Sequence, residues 1–171
     1  MWEDTKKELD QLPIKKIAEK YNFLGEGIAR RVYALDDDYV IKISKGIDGF
    51  YQNSVENYIY KNASDELRSI LCPIEYFTTR YIIMKRATPM SFFTKAKYID
   101  ISNFKGYGHI QKYLDLLMEK FYLLEEDLYS PTSWGFLNNR LYLIDYGCTS
   151  NYGDFYYDFI FTLNKIGDYL T

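Results

Sequence analysis

Apolar positions recur along the chain with two periods, and the periods divide it into elements. Residues 2–20 fit helix. Ile14, Ile17, Ala18 and Tyr21 fall on one helical face, and Pro13 stands near the first turn of a second helical piece, where a missing N–H costs little. The pattern then turns β-like. Residues 29–35 and 39–44 are rich in β-branched and aromatic types, and Asp36-Asp37-Asp38 between them is turn chemistry, so a hairpin is expected. A loop containing Gly46 and Gly49 should follow. A helix is expected over 51–68, burying Val55, Tyr58, Ile59 and Leu67. Short strands are expected at 73–77 and 81–86, joined by Thr78-Thr79-Arg80.

Arg86-Ala87-Thr88-Pro89 reads as a boundary, and 91–106 is polar with poor periodicity. Residues 107–125 place Ile110, Tyr113, Leu114, Leu117, Phe121 and Leu124 on one face and predict a core helix. A second hairpin is expected from strands near 133–136 and 141–145, with Asn138-Asn139 at its turn. An apolar, aromatic helix over 154–166 ends the pattern. No internal repeat or low-complexity tract is present.

Composition narrows the classes. With 47% hydrophobic and 26% charged residues in 171, the chain can bury a core, and disorder is excluded. A net charge of −3 removes the electrostatic case for nucleic acid. Residues 13–21 also fit the first helix of a helix-turn-helix. A glycine-rich strand follows instead of a second, base-reading helix, so docking of an amphipathic helix on the next element explains the pattern better. No apolar run approaches the roughly 20 residues of a membrane span. The polar N-terminus is no signal peptide. Two cysteines read as reduced thiols, small packing residues with no zinc spacing, and the expected location is the cytoplasm. The many tyrosines and phenylalanines are expected to serve packing. His109, the single histidine, is expected to cap a helix or face solvent.

Four features carry candidate chemistry. Gly25 and Gly27 lie in a turn where backbone N–H groups could approach phosphate oxygens closely. Lys42 lies inside an apolar strand and needs a partner there. Glu56, in the helix that follows, is a plausible partner. Asp127 and Asp145 flank the second hairpin, and Asp145 ends an apolar strand just before Tyr146-Gly147, a placement that suits a metal ligand. Each has a plainer reading. Lys42 could snorkel at a strand end, Asp145-Tyr146-Gly147 could be an acidic turn, and Asp127 could cap a helix. Glu125-Glu126-Asp127 could also be a solvated helix end, unfavourable for the helix dipole.

In this order the features resemble the protein-kinase-like superfamily. Gly25-x-Gly27-x-x-Arg30-x-Val32 looks like its glycine-rich loop, and Tyr39-Val40-Ile41-Lys42 like its lysine strand. Ile82-Ile83-Met84-Lys85-Arg86-Ala87 looks like the strand leading to the hinge. Asp127-Leu128 resembles the catalytic-loop acid, and Asp145-Tyr146-Gly147 the metal-binding triplet. The resemblance covers residues 21–150. It is nearest to small atypical kinase-like proteins of phages and bacteria, and more distant to aminoglycoside-phosphotransferase-type kinases.

The resemblance implies an α+β, minimal two-lobed fold: an N-terminal helical segment over 1–20, an antiparallel β-sheet N-lobe over 21–86, and a reduced helical C-lobe over 87–171. It implies ATP and Mg2+ as cofactors. Gly25, Gly27, Val32, Val40, Lys42 and Met84 would hold the nucleotide, with Glu56 orienting Lys42. Asp145 would bind the metal, and Asp127 would accept the proton of an attacking hydroxyl. The family's catalytic-loop Asn falls on Thr132, a poorer metal donor, with Ser133 one residue away. Glu125 and Glu126 replace His-Arg, Tyr129 replaces a basic residue, and Arg30 replaces the third glycine, where it would rigidify the loop or add a phosphate contact.

The expected function is an ATP- and Mg2+-dependent phosphotransferase acting on a hydroxyl of an unidentified protein or small molecule. The alternative, favoured by the replaced Asn and the short C-lobe, is a pseudokinase that acts by binding another protein.

Overall fold

The computed structural model of the chain describes residues 2–101 and 108–170. Its elements run α1 (Trp2–Gln11), α2 (Ile14–Lys20), β1 (Asn22–Glu26), β2 (Arg30–Ala34), β3 (Tyr39–Ser44), α3 (Ile47–Asn62), α4 (Asp65–Arg68), β4 (Ile74–Phe77), β5 (Tyr81–Lys85), β6 (Thr88–Pro89), α5 (Ile110–Phe121), α6 (Glu125–Leu128), β7 (Trp134–Leu137), β8 (Arg140–Leu143) and α7 (Asn151–Leu170). Single 3-10 turns lie at Met90–Phe92 and Pro131–Ser133. The fold is α+β, as the sequence predicts. The chain forms two compact units: residues 1–53 with 73–86, and residues 54–72 with 87–171.

The first unit is a five-stranded antiparallel sheet in the order β1-β2-β3-β5-β4. Period two sends Tyr33, Ile41, Ile43, Tyr81 and Ile83 to one face, where they form a buried core with Leu9 of α1 and Ile17 of α2. The N-terminal helices are therefore part of this unit's core. Asp10 fastens α1 to the sheet by accepting hydrogen bonds from Tyr81 Oη at 2.6 Å and Tyr76 Oη at 2.9 Å. Burial first, and then the bond to Asp10, push the Tyr81 phenol well above its ordinary pKa.

Of the expected loop, Gly46 lies in a bend, but Gly49 lies in helix. Helix α3 begins at Ile47, because Gly49 serves close packing and not a turn. A Cβ on Gly49 would stand 2.5 Å from the Ala29 carbonyl oxygen and 2.6 Å from Ser44 Cβ. Gly49→Ala should therefore lose about 2 kcal/mol in urea denaturation, although alanine is the better helix former. A gain in stability would show that the helix is free to retreat from the strand. The helix expected to 68 is broken at its other end. Ser64 accepts from the Leu67 N–H and starts α4 separately, and propensity alone hides that cap.

In the second unit, β6, β7 and β8 make a small antiparallel sheet. The β7–β8 turn is Asn138-Asn139 as expected, with φ of 50° and 61°, the left-handed pair that a two-residue hairpin requires. Part of the aromatic complement packs as expected, while Phe92, Phe93, Tyr152, Phe155 and Phe159 are exposed. Tyr157 lies edge-on to Tyr58 and Tyr156 and donates its hydroxyl to the Phe121 carbonyl at 3.0 Å. The core helix expected over 107–125 is α5, which stops at Phe121, where Tyr122 turns left-handed (φ 56°). The expected start at 107 lies outside the described residues. So do 102–106 of the polar stretch, whose Ile99 and Ile101 are buried. His109 is exposed at the N-cap position of α5. Cys72 is buried and Cys148 half-buried, and both are free thiols. Among the described residues, no helix is long and apolar enough to cross a membrane.

Candidate functional site

In the first unit, the sheet face opposite the α1–α2 core carries the expected nucleotide residues. Gly25 pairs with Val32, Val32 with Lys42, and Lys42 with Ile82, so one row crosses four strands. The next row runs Ala34, Val40, Met84. Directly opposed residues project to the same side, so Val32, Val40, Lys42 and Met84 share a face. Val40, Lys42 and Met84 are buried, and Val32 is half-buried. Lys42 is buried on a face otherwise made of aliphatic residues, and a buried ammonium is tolerated only with partners of opposite sign or acceptor character.

Between β1 and β2 the chain reverses, and the Gly27 N–H donates to the Arg30 carbonyl at 2.9 Å. Lys45 Nζ donates to the Gly27 carbonyl at 2.7 Å and pins the loop from below. At Gly25 and Gly27 an added Cβ would meet no described atom within 4 Å, so neither glycine is required by packing. They leave backbone accessible, which is the condition for close approach of a phosphate. Arg30 is only 4% exposed. Its guanidinium donates to Asn53 Oδ1 at 3.2 Å, and Asn53, fully buried on α3, donates to the Thr79 carbonyl at 3.0 Å. Of the two roles open to Arg30, this bond favours rigidifying the loop. Asn53 is a structural residue, and its signal in the sequence is a polar side chain on an otherwise buried helical stripe.

In the second unit, Glu56 on α3 is fully buried, and its carboxylate accepts the Tyr146 N–H at 3.0 Å. Tyr146 is also buried and donates its hydroxyl to the Cys72 carbonyl at 2.8 Å. The Asp145-Tyr146-Gly147 segment is held on its other side by Ser133. The Ser133 carbonyl accepts from Ile144 N–H at 2.7 Å and from Asp145 N–H at 3.3 Å. Strand β8 ends at Leu143, so Asp145 lies beyond the strand expected to end with it. The backbone on both sides of Asp145 is fixed while the residue itself is exposed.

Asp127 is half-buried on α6. The acids Glu125, Glu126 and Asp127 form the first turn of this helix, not the end of α5, and at a first turn carboxylates are favourable. The expected dipole penalty is therefore absent: the left-handed Tyr122 separates the two helices. Trp134 Nε1 donates to the Leu128 carbonyl at 2.7 Å and fixes the turn that carries Asp127. Downstream, Ser130 N–H donates to the Asp127 carbonyl at 3.1 Å and Ser133 N–H to the Ser130 carbonyl at 3.0 Å. This relay of backbone bonds ties the Asp127 loop to Asp145. Thr132 is exposed, with its hydroxyl 2.7 Å from Ser130 Oγ. An open depression of about 300 Å³ is lined by Tyr98, Glu125, Glu126 and Tyr129.

Among the described residues no group of three His, Cys, Asp or Glu side chains could cage a metal. Mg2+ does not need one, since it takes one or two carboxylates together with substrate phosphates and water. Asp145 is exposed and Thr132 presents a hydroxyl, both oxygen donors of the kind Mg2+ accepts.

No family model and no curated protein matches the chain. Among solved structures the chain has similar ones at low identity. One is the aminoglycoside phosphotransferase APH(2")-IIa in a ternary complex with streptomycin and ATP, at 19% identity, over 80% of this chain and 72% of that one, with a TM-score of 0.43. Another is the same enzyme with gentamicin, at 17% identity, over 80% and 70%, with a TM-score of 0.43.

Proposed function

We propose that the chain is an ATP- and Mg2+-dependent phosphotransferase acting on a hydroxyl acceptor. The observation that carries this reading is the fixing of Asp145. Its backbone is anchored from Ser133 and, through Tyr146, from the buried Glu56, while its side chain is presented to solvent. A plain acidic turn has no need of a fully buried glutamate behind it.

In this reading Val32, Val40 and Met84 enclose the adenine, Lys42 meets the phosphates, and the open backbone at Gly25 and Gly27 covers them. Mg2+ neutralises charge on the phosphates, held by Asp145 with Thr132 as the weaker donor. Asp127, on the turn fixed by Trp134, takes the proton of the acceptor hydroxyl. Glu125 and Glu126, in the depression with Tyr98 and Tyr129, favour an acceptor that carries positive charge.

Calorimetric titration with ATP, with and without Mg2+, tests the reading. Saturable binding that needs Mg2+ is expected, and Asp127→Asn should keep that binding while suppressing transfer. Absence of binding at millimolar ATP would overturn the reading and leave the pseudokinase that acts through a protein partner.

A further inference from the structure

The sheet of the first unit has a second recess, on the face away from Val32 and Lys42. Tyr33 and Ile43, which alternate with those two residues along β2 and β3, form its floor together with Ile14 and Ala18 of α2. The cavity measures about 210 Å³ and its lining is mostly apolar. Three cations stand at it: Lys15, Arg31 and Lys45. Among the described residues one carboxylate, Glu26, is paired with them. Glu26 accepts from Lys45 at 2.7 Å and from Arg31 at 3.2 Å, and those two cations, Lys45 first, hold its carboxyl below the ordinary value. Lys15 makes no ion pair among the described residues. The recess therefore combines an apolar floor with an excess of positive charge at its rim.

The geometry points to a binding site for a small organic anion, a carboxylate carrying a ring or a short alkyl chain, between α2 and the back of the sheet. An apolar cavity of about 150 Å³ admits benzene, so this one accepts a six-carbon chain or ring with its carboxylate at the rim. The carboxylate would meet Lys15, whose charge the protein leaves uncompensated, and the chain would lie against Ile14 and Ala18, the half-buried apolar residues of the lining. This pattern of apolar walls with a few convergent polar groups is the usual form of a small-molecule site. The floor it occupies belongs to the strand that carries Lys42, but the site shares no residue with the proposed nucleotide face.

Hexanoate is the probe, with hexan-1-ol as its neutral counterpart, titrated into the full chain and followed by amide NMR. Saturable millimolar binding of hexanoate is expected, with shifts confined to α2, β2 and β3, and binding of hexanol about tenfold weaker. Ala18→Phe, which fills the cavity, should remove the binding. Lys15→Glu, at an exposed position that folding does not depend on, should weaken it about tenfold. Equal affinity for acid and alcohol, undiminished binding in Lys15→Glu, or no saturable shift would overturn the proposal. The outcome is independent of ATP binding, so it fails or stands apart from the phosphotransferase reading.

Discussion

Asp145→Ala abolishes Mg2+-dependent nucleotide binding and lowers transfer by about a thousandfold or more, while the thermal midpoint barely moves. The two halves of this expectation come from different observations. The activity term follows from the metal's role: charge neutralisation on the phosphates is worth several kcal/mol of transition-state stabilisation, and about 4 kcal/mol is a factor of a thousand. The stability term follows from exposure. Asp145 leaves no buried hole when shortened, and surface changes of this kind stay within about 0.5 kcal/mol. Its neighbours Tyr146 and Gly147 stay buried, the Ser133 carbonyl still accepts from the Ile144 and Asp145 N–H groups, and Glu56 still accepts from Tyr146 N–H. Calorimetry with Mg2+ and ATP reads the first term and a melting curve the second. Unchanged Mg2+ dependence would remove Asp145 as the ligand. A collapsed midpoint would make the carboxylate a structural group.

The parts of this fold that were legible in the sequence are those where one local pattern sets the structure. The β2–β3 hairpin follows from alternation and three aspartates, and the β7–β8 hairpin from Asn138-Asn139, whose left-handed angles few other residues accept. What was not legible depends on neighbours distant in sequence. Gly49 reads as a loop residue until Ala29 and Ser44 are seen against it. Glu125, Glu126 and Asp127 follow directly on the apolar period that runs to Leu124, and only the turn at Tyr122 converts a helix end into a helix start. For the candidate site, the residue types were legible and the supports were not. Ser133 was weighed as a metal donor, yet its described role is a carbonyl that holds Asp145. Asn53 bridges Arg30 and Thr79, a role that depends on two segments far from it in sequence. Motifs name the groups that meet a ligand. The support from Ser133 is a backbone carbonyl, which any residue supplies, and so it leaves no trace in the sequence.

Glu56 separates these two kinds of role in one residue. Its carboxylate is fully buried and accepts the N–H of Tyr146, itself only 1% exposed. Glu56→Leu keeps an apolar bulk of similar size but orphans that N–H, and a buried donor left unsatisfied costs about 1–3 kcal/mol. Loss of a buried charge that had partners adds to this, so about 3 kcal/mol in urea denaturation is expected. Glu56→Gln retains a carbonyl oxygen at the same reach. It should lose less than half as much stability, because the Tyr146 bond survives, though in neutral form and weaker. Nucleotide binding should fall in both variants, since the backbone that presents Asp145 is loosened in one and the negative charge is gone in the other. The comparison turns on stability. If glutamine and leucine cost the same, the bond to Tyr146 contributes nothing, and the charge of Glu56 is what the fold retains. If glutamine is nearly neutral in stability but abolishes Mg2+-dependent binding, the hydrogen bond holds the segment and the charge serves the ligand.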